Sequence, residues 1–437
     1  MTLNRRQAMK LAGFVAAGLA SPPAQAAAPD TAALLMQWYR LVLQLVRHTP
    51  TYSPPVASRA FAYLGVAAYE CMMVGHPGYQ SLAGQLRDLK KPPPTDDRKF
   101  DAAHMLHGCM AAAVAYFFSN TGPIGQRAIK AMARKLSASL SGSVSDDMAA
   151  ASEDRGRAIA THVHDWSQGD GGHVVENLGF PAVYQRGSKP QSWVPTSAIN
   201  LQQTPLLPNW GQNRSFAMPD GAACPLPPPP DYSEAKDSAF YREAMEVYDI
   251  SKALSEEQKL IARFWSDDPM LSPTPPGHWI SIALQLARAR NMDAVACADM
   301  LARLGIALAD GFIACWHSKY EFDLLRPVTY IRRVIDPNWS SLLITPPFPE
   351  YPSGHSTQSG AAATVLTSFF GGDVAFSDET HLRDGLPARS FESFHAAAQE
   401  AALSRLYGGI HFRAAAERGI LQGQCVGTFA AALRTKT

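Results

Sequence analysis

Phe348-Pro349-Glu350-Tyr351-Pro352-Ser353-Gly354-His355 is followed at once by the small-residue run Ser356 to Ala363. Such a run behind two prolines predicts a helix over 355–370, with Ser353 and Gly354 at its N-terminus. Backbone N–H groups are unpaired there, and the helix macrodipole favours a bound anion. Gly354 lets the backbone approach that anion closely, Ser353 adds a hydroxyl donor, and His355 adds a proton carrier suited to neutral pH. On its own the stretch is a generic anion site, and the surrounding chain has to say which anion.

Outward from it, apolar residues recur at helical spacing. Leu34, Leu35, Trp38, Leu41, Val42 and Leu45 mark a helix from Thr31 to about His48, and a second runs from about Pro55 to Val74. Further helices are expected over 100–118, 123–140, 146–168, 233–247, 255–266, 276–289, 292–318 and 391–408, with a last one ending the chain. No segment alternates with period two, so the predicted class is all-α. Residues 169–235 interrupt the helices with glycine, proline and tryptophan, ending in Pro225-Leu226-Pro227-Pro228-Pro229-Pro230. The expected architecture is two consecutive helical-bundle halves, 27–168 and 236–437, separated by that long irregular arm, with the active site in the C-terminal bundle. The aromatics of the arm predict that it packs on the helices.

With 437 residues, 46% hydrophobic, 18% charged and a net charge of +1, the chain has ample core and no general basic face, which excludes a nucleic-acid binder. Arg5-Arg6 ahead of the apolar Ala8–Leu19 segment, with Ala24-Gln25-Ala26 beyond it, reads as a twin-arginine-type signal over residues 1–26. A general secretory signal is the alternative. Either predicts export from a bacterial cell, to the periplasm or beyond, and a mature chain starting near Ala27 with no integral membrane segment. The six cysteines form no C-x-x-C pair, so most are expected as small buried residues, with room for one or two disulfides. His104 with His107, and His162 with His164, lack a third ligand nearby, and His278 is expected to pack or cap rather than catalyse.

Three segments carry cations or proton-transfer groups in order: Lys319-x6-Arg326-Pro327, Pro352-Ser353-Gly354-His355, and Ser404-Arg405-x5-His411. Lys319 and Arg326 are two helical turns apart and would share a face, with Pro327 limiting the helix. Each segment alone is unremarkable, but their conjunction supplies what a tetrahedral oxyanion demands. A lysine and two guanidiniums neutralise charge and donate directional hydrogen bonds, backbone N–H groups and Ser353 fill the remaining acceptor sites, and two histidines stand at opposite apices.

This triple signature resembles the superfamily of type 2 phosphatidic acid phosphatases, bacterial class A acid phosphatases and vanadium-dependent haloperoxidases. Resemblance to the haloperoxidase branch extends to Phe264-Trp265-Ser266-Asp267-Asp268, Thr274-Pro275-Pro276-Gly277-His278-Trp279, Trp193-Val194-Pro195-Thr196 and Pro54-Pro55-Val56-Ala57-Ser58-Arg59. It implies vanadate as cofactor, held through the imidazole of His411, with Lys319, Arg326, Ser353, Gly354 and Arg405 on its oxygens and His355 as acid–base catalyst. Hydrogen peroxide and a halide would be the substrates, hypohalous acid the product, and Lys319 would polarise the bound peroxide. Trp316 and Phe348 match aromatics that border the halide site in the chloroperoxidase-like type, whereas a histidine at 348 would look more like the algal bromoperoxidases. Asp268 is expected to pair with Arg405, with Asp267 as the neighbouring candidate.

One position departs from the superfamily. The phosphatase signature places a carboxylate four residues after its nucleophilic histidine, and this chain has Ala415 there. His411 would then be oriented by a backbone carbonyl or by another carboxylate such as Glu417. Two alternatives stay open on the same residues: an exported acid phosphatase in which His411 attacks phosphorus, and an oxyanion-binding protein without turnover. Halide preference, organic acceptor and oligomeric state are not legible.

Overall fold

In a computed structural model the described residues are 30–94, 98–174, 179–199 and 202–437. The expected signal, residues 1–26, lies outside them. Among the described residues five helices precede the arm: α1 Thr31–Arg47, α2 Pro54–Met72, α3 Ala102–Phe117, α4 Pro123–Leu140 and α5 Asp146–Ser167. Eight follow: α6 Ala239–Lys252, α7 Glu256–Phe264, α8 Thr274–Ala289, α9 Ala294–Phe322, α10 Pro327–Val334, α11 Gly354–Phe370, α12 Phe394–Tyr407 and α13 Arg413–Ala431. The only strands among the described residues are β1 Phe376–Asp378 and β2 Arg389–Phe391, a short antiparallel hairpin. The mostly helical class expected above is the observed one.

Local chemistry explains where these helices start. Asp30, Asp101, Ser145, Ser238, Asp293 and Ser393 each accept a backbone N–H of the first turn, and Ser255 with Gln258 forms a reciprocal capping box. Prolines open α2, α4 and α10, where a missing N–H costs nothing. α6 starts at Ala239 rather than 233, because Ser238 supplies the cap. Among the described residues no helix is long and apolar enough to cross a membrane.

The buried 29-residue α9 is the axis of the molecule. A Cβ on Gly65 of α2 would lie 2.8 Å from Ala302 Cα, and one on Gly305 of α9 would lie 2.8 Å from the Phe61 carbonyl, so α2 and α9 run backbone to backbone. α11 and α13 meet in the same way through Gly360 and Gly423. One hydrophobic core joins α1–α5 to α8, α9 and α11–α13, and a smaller one beneath the motif loops gathers Phe240, Leu325, Tyr330, Tyr351, Leu406 and Phe412.

The described part of the arm lies on the helices, as its aromatics predict. Trp193 and Trp210 are buried, the Asp310 carboxylate of α9 accepts the N–H groups of Phe216, Ala217 and Met218, and a disulfide joins Cys224 to Cys425 in α13. The other four cysteines are reduced and buried.

Candidate oxyanion site

Lys319 and Arg326 do not share a helix. α9 ends at Phe322 and its C-cap, Asp323, takes the left-handed conformation (φ 45°). Arg326 is the N-cap of α10, whose first residue is Pro327, so the proline opens a helix instead of closing one. The intervening residues bond to the arm: Trp193 N–H donates to Asp323 O, and Leu325 N–H to Gln191 O, both at 2.8 Å. This corner still brings both cations to the Phe348–Ser353 loop. Lys319 Nζ donates to the carbonyls of Pro349 (2.9 Å), Glu350 (3.0 Å) and Pro352. Arg326 Nε donates to Phe348 O at 2.9 Å and Nη1 to Ile410 O at 2.8 Å, while Nη2 is buried without a partner. Burial pulls the Lys319 ammonium down to about 7.

Phe348 lies over both cations, its ring centre 5.1 Å from Lys319 Nζ and 5.0 Å from Arg326 Cζ, within cation–π range. Trp316 packs beside it at 4.9 Å between centroids and donates its indole N–H to Leu206 O of the arm. The aromatic pair therefore borders the cationic pair.

Ser353 is the N-cap of α11. Its side chain accepts Ser356 N–H and its carbonyl accepts Thr357 N–H, which leaves the N–H groups of Gly354 and His355 as the first-turn donors it does not satisfy. A Cβ on Gly354 would make only ordinary contacts, 3.7 Å from Phe312 and Trp316, so internal packing does not demand this glycine. Gly409 is different. Its φ of +75° and a Cβ that would lie 3.2 Å from Ser341 and Trp339 require glycine in the turn between Arg405 and His411.

His411 answers the question raised by Ala415. Its Nδ1 is 2.8 Å from Glu350 Oε1, which also accepts Phe412 N–H at 2.9 Å, and its Nε2 faces Arg326 Nη1 at 3.1 Å. Burial and then the charges of Arg326, Lys319 and Arg405 hold His411 well below the usual histidine range. The imidazole is thus neutral, with its proton on Nδ1 toward Glu350 and its Nε2 lone pair toward the cations. Burial pushes the Glu350 carboxyl up to about 8, against the pull of Arg326 and Lys319. Glu417 is not the partner. It pairs with Arg413 at 3.4 Å, one turn along α13. Sequence reading missed Glu350 although it stands inside the opening stretch.

Arg405, in the last turn of α12, donates from Nη1 to Trp265 O, and its Nε is buried without a partner. No ion pair joins it to Asp268; the carboxylates of Asp268 and Asp267 act on it only through space. His355 is held by the Ser266 backbone, its Nε2 has no partner, and burial followed by the Arg405 charge keeps its pKa well below the ordinary value. Asp267 instead binds His278 and His381, so His278 belongs to a buried ion network rather than serving only as packing.

Lys319, Arg326, His355, Arg405 and His411 thus lie within electrostatic reach of one another, Ser353 and Gly354 open α11 beside Trp316, and Phe348 packs on the cations. Arg326 Nη2, Arg405 Nε and His355 Nε2 are left as buried polar atoms without partners. The two arginine atoms are donors, costly when orphaned in an interior, and the acceptor oxygens of an oxyanion fit them, while the neutral His355 Nε2 is left to accept from a protonated oxygen.

The VCPO second helical-bundle domain matches residues 299–437. Vanadium chloroperoxidase of Curvularia inaequalis is 28% identical over 183 residues, which cover 34% of this chain and 30% of that protein. A solved structure of a bacterial vanadium-dependent chloroperoxidase in its holo form superposes with TM-score 0.71 at 18% identity, covering 89% of this chain and 93% of that one, a likeness of fold. A structure described as the first bacterial vanadium-dependent iodoperoxidase superposes with TM-score 0.85 at 36% identity, over 94% of this chain and 98% of that one. Likeness at that identity over nearly the full length of both chains means that this chain belongs to the vanadium-dependent haloperoxidase family.

Proposed function

We propose that the protein is a vanadium-dependent haloperoxidase that binds vanadate and uses hydrogen peroxide to oxidise halide to hypohalous acid, with iodide, the most readily oxidised halide, as its first substrate. The observation that carries this reading is the pair of orphaned donors, Arg326 Nη2 and Arg405 Nε, with the unpartnered Nε2 of neutral His355 and a neutral His411 whose Nε2 meets only Arg326 Nη1, at 3.1 Å, a bond it would give up to hold a metal. The iodoperoxidase likeness supports the choice of halide.

His411 would hold vanadate through Nε2, and Lys319, Arg326, Arg405, Ser353 and the Gly354 N–H would hold its oxygens. When bound, vanadate supplies Lewis-acid activation of peroxide without changing its own oxidation state. The chain's residues supply the rest. Glu350 fixes the His411 tautomer, as an outer carboxylate does for many metal-ligating histidines. His355, neutral at working pH, accepts and returns a proton at Nε2. Lys319 donates to oxygen from a buried position where its hydrogen bonds are strong, and it must exchange at least one loop carbonyl to do so. Trp316 and Phe348 would border the halide, and the charge of Asp268 would steady Arg405 from a distance.

Orthovanadate added to the purified protein should give peroxide-dependent iodination of a phenolic dye that is lost in His411→Ala. The same donors and the His411 Nε2 lone pair would also suit phosphoryl transfer, so aryl phosphate hydrolysis is measured alongside. Phosphatase turnover inhibited by vanadate, with no halogenation, would overturn the proposal. We also infer export from the cell, supported by the Arg5-Arg6 segment.

A further inference from the structure

We propose that His278, clamped between Asp267 and Asp378, is a positioning residue for the oxyanion site, holding in place the Trp265–Asp268 turn on which Arg405 and His355 rest. The inference builds on the function proposed above.

His278 is wholly buried in the first turns of α8. Its Nδ1 lies 2.9 Å from Asp267 Oδ2 and its Nε2 lies 2.7 Å from Asp378 Oδ2. Two carboxylates only accept, so both ring nitrogens donate. Burial alone would lower its pKa, but the two carboxylates outweigh it and push it up to about 10. The second Asp267 oxygen takes His381 Nε2 at 3.2 Å, His381 Nδ1 meets Asp384 at 3.0 Å, and Asp384 meets Arg47 at 2.6 Å. Opposite charges thus alternate from the surface end of α1 to the interior, and the end of β1 closes the chain.

Asp267 is a non-glycine residue at φ 48°, a conformation that needs outside support. Both of its oxygens receive that support from histidines. Its neighbours serve the site: the Trp265 carbonyl takes Arg405, the Ser266 backbone holds His355, and the Asp268 charge acts on Arg405. The Trp265 ring stacks on the His278 ring at 4.5 Å and 18°, and its indole N–H reaches Glu400 of α12, the helix that carries Arg405. His278 therefore touches the turn through both a charged contact and a ring face. The charged groups facing it are Asp267, Asp378 and His381, and those coupled to His355 are Arg405, Asp267, His278 and His411.

The test uses His278→Gln and the double variant His278→Gln/Asp378→Asn in the full chain. The double variant removes one positive and one negative charge, so it breaks the tie without changing the net charge. If the single variant does not fold, the double variant carries the test. Orthovanadate affinity is read by calorimetry, and the His355 titration is read in vanadate-free protein by NMR of carbon-labelled histidines, assigned with His355→Gln. Positioning predicts affinity about tenfold weaker in both variants, as for other outer-shell partners. It also predicts that the His355 midpoint rises by about one pH unit in Asp378→Asn alone, which keeps the His278 charge that acts on His355, as the loosened turn admits water. A double variant that returns to wild-type affinity, or an unshifted His355 midpoint in Asp378→Asn, would overturn the proposal, leaving a through-space charge effect. So would a stoichiometric divalent ion in the purified protein, since Asp267, His278 and His381 stand close enough to ligate one. Failure of the wild type to bind vanadate would refute the haloperoxidase reading, and the His355 midpoint would still decide this one.

Discussion

Glu350 is the residue on which the chemistry of His411 depends. One of its oxygens accepts from both His411 Nδ1 and Phe412 N–H, so it sets the tautomer of the imidazole and anchors the start of α13. Glu350→Gln keeps an acceptor but removes the charge that the carboxyl carries only above about 8, so vanadate affinity should fall about tenfold at about pH 9. Glu350→Ala removes both, and the loss should approach about a hundredfold, the upper end for carboxylates behind metal-ligating histidines. Glu417→Ala should leave affinity unchanged, because its ion pair is with Arg413 and not with His411. Calorimetry with orthovanadate checks all three variants, and equal losses in the Glu350 and Glu417 variants would refute the assignment. Lys319, Arg326, Ser353, His355, Arg405 and His411 could be found from sequence because each stands at a fixed offset from a proline, a glycine or another charged residue. Glu350 could not, because its partner lies 61 residues away and a glutamate between two prolines belongs to no periodic pattern.

At the scale of elements, α11 and α13 hold the candidate site together, since Ser353 caps one helix and His411 stands two residues before the first residue of the other. Their backbones touch at Gly423, where an added Cβ would fall 1.9 Å from the Thr357 carbonyl. Gly423→Ala should therefore force the helices apart and cost about 1–3 kcal/mol, the usual price of overpacking. Urea unfolding reads the cost, and vanadate affinity should weaken with it. A variant as stable as the parent would show that this contact carries no constraint. Most helices were legible because Asp and Ser caps and opening prolines mark their starts. The break after Phe322 was not. Asp323 departs from helix to accept Trp193 N–H, and Leu325 donates to Gln191 O, long-range contacts with the arm that no local propensity encodes. The β1–β2 hairpin escaped for a related reason: its three-residue strands are too short for alternation to register.

Across the whole molecule, the arm is the part that sequence describes least and tertiary structure uses most. It lends Leu206 O to Trp316 and Tyr320, bonds to the Asp323 corner, and ends against α13 through the Cys224–Cys425 disulfide. Gln422 reinforces that end by donating to Cys224 O and to Ser318 in α9. The disulfide closes a loop of 201 residues, and chain-entropy arguments assign such a crosslink about 5 kcal/mol, borne mainly by restriction of the unfolded chain. For a chain of this size that corresponds to roughly 5 °C in melting temperature. Replacing both cysteines by serine, or reducing the wild type, should lower the melting temperature by that amount in calorimetry. Because no donor of the candidate site bonds to Cys224 or Cys425, vanadate affinity at 25 °C should stay within about twofold of the parent. A reduced protein that melts at the wild-type temperature would mean that packing alone fixes the arm. One that loses vanadate binding while still folded would mean that the arm transmits order to Lys319 through Ser318 and α9.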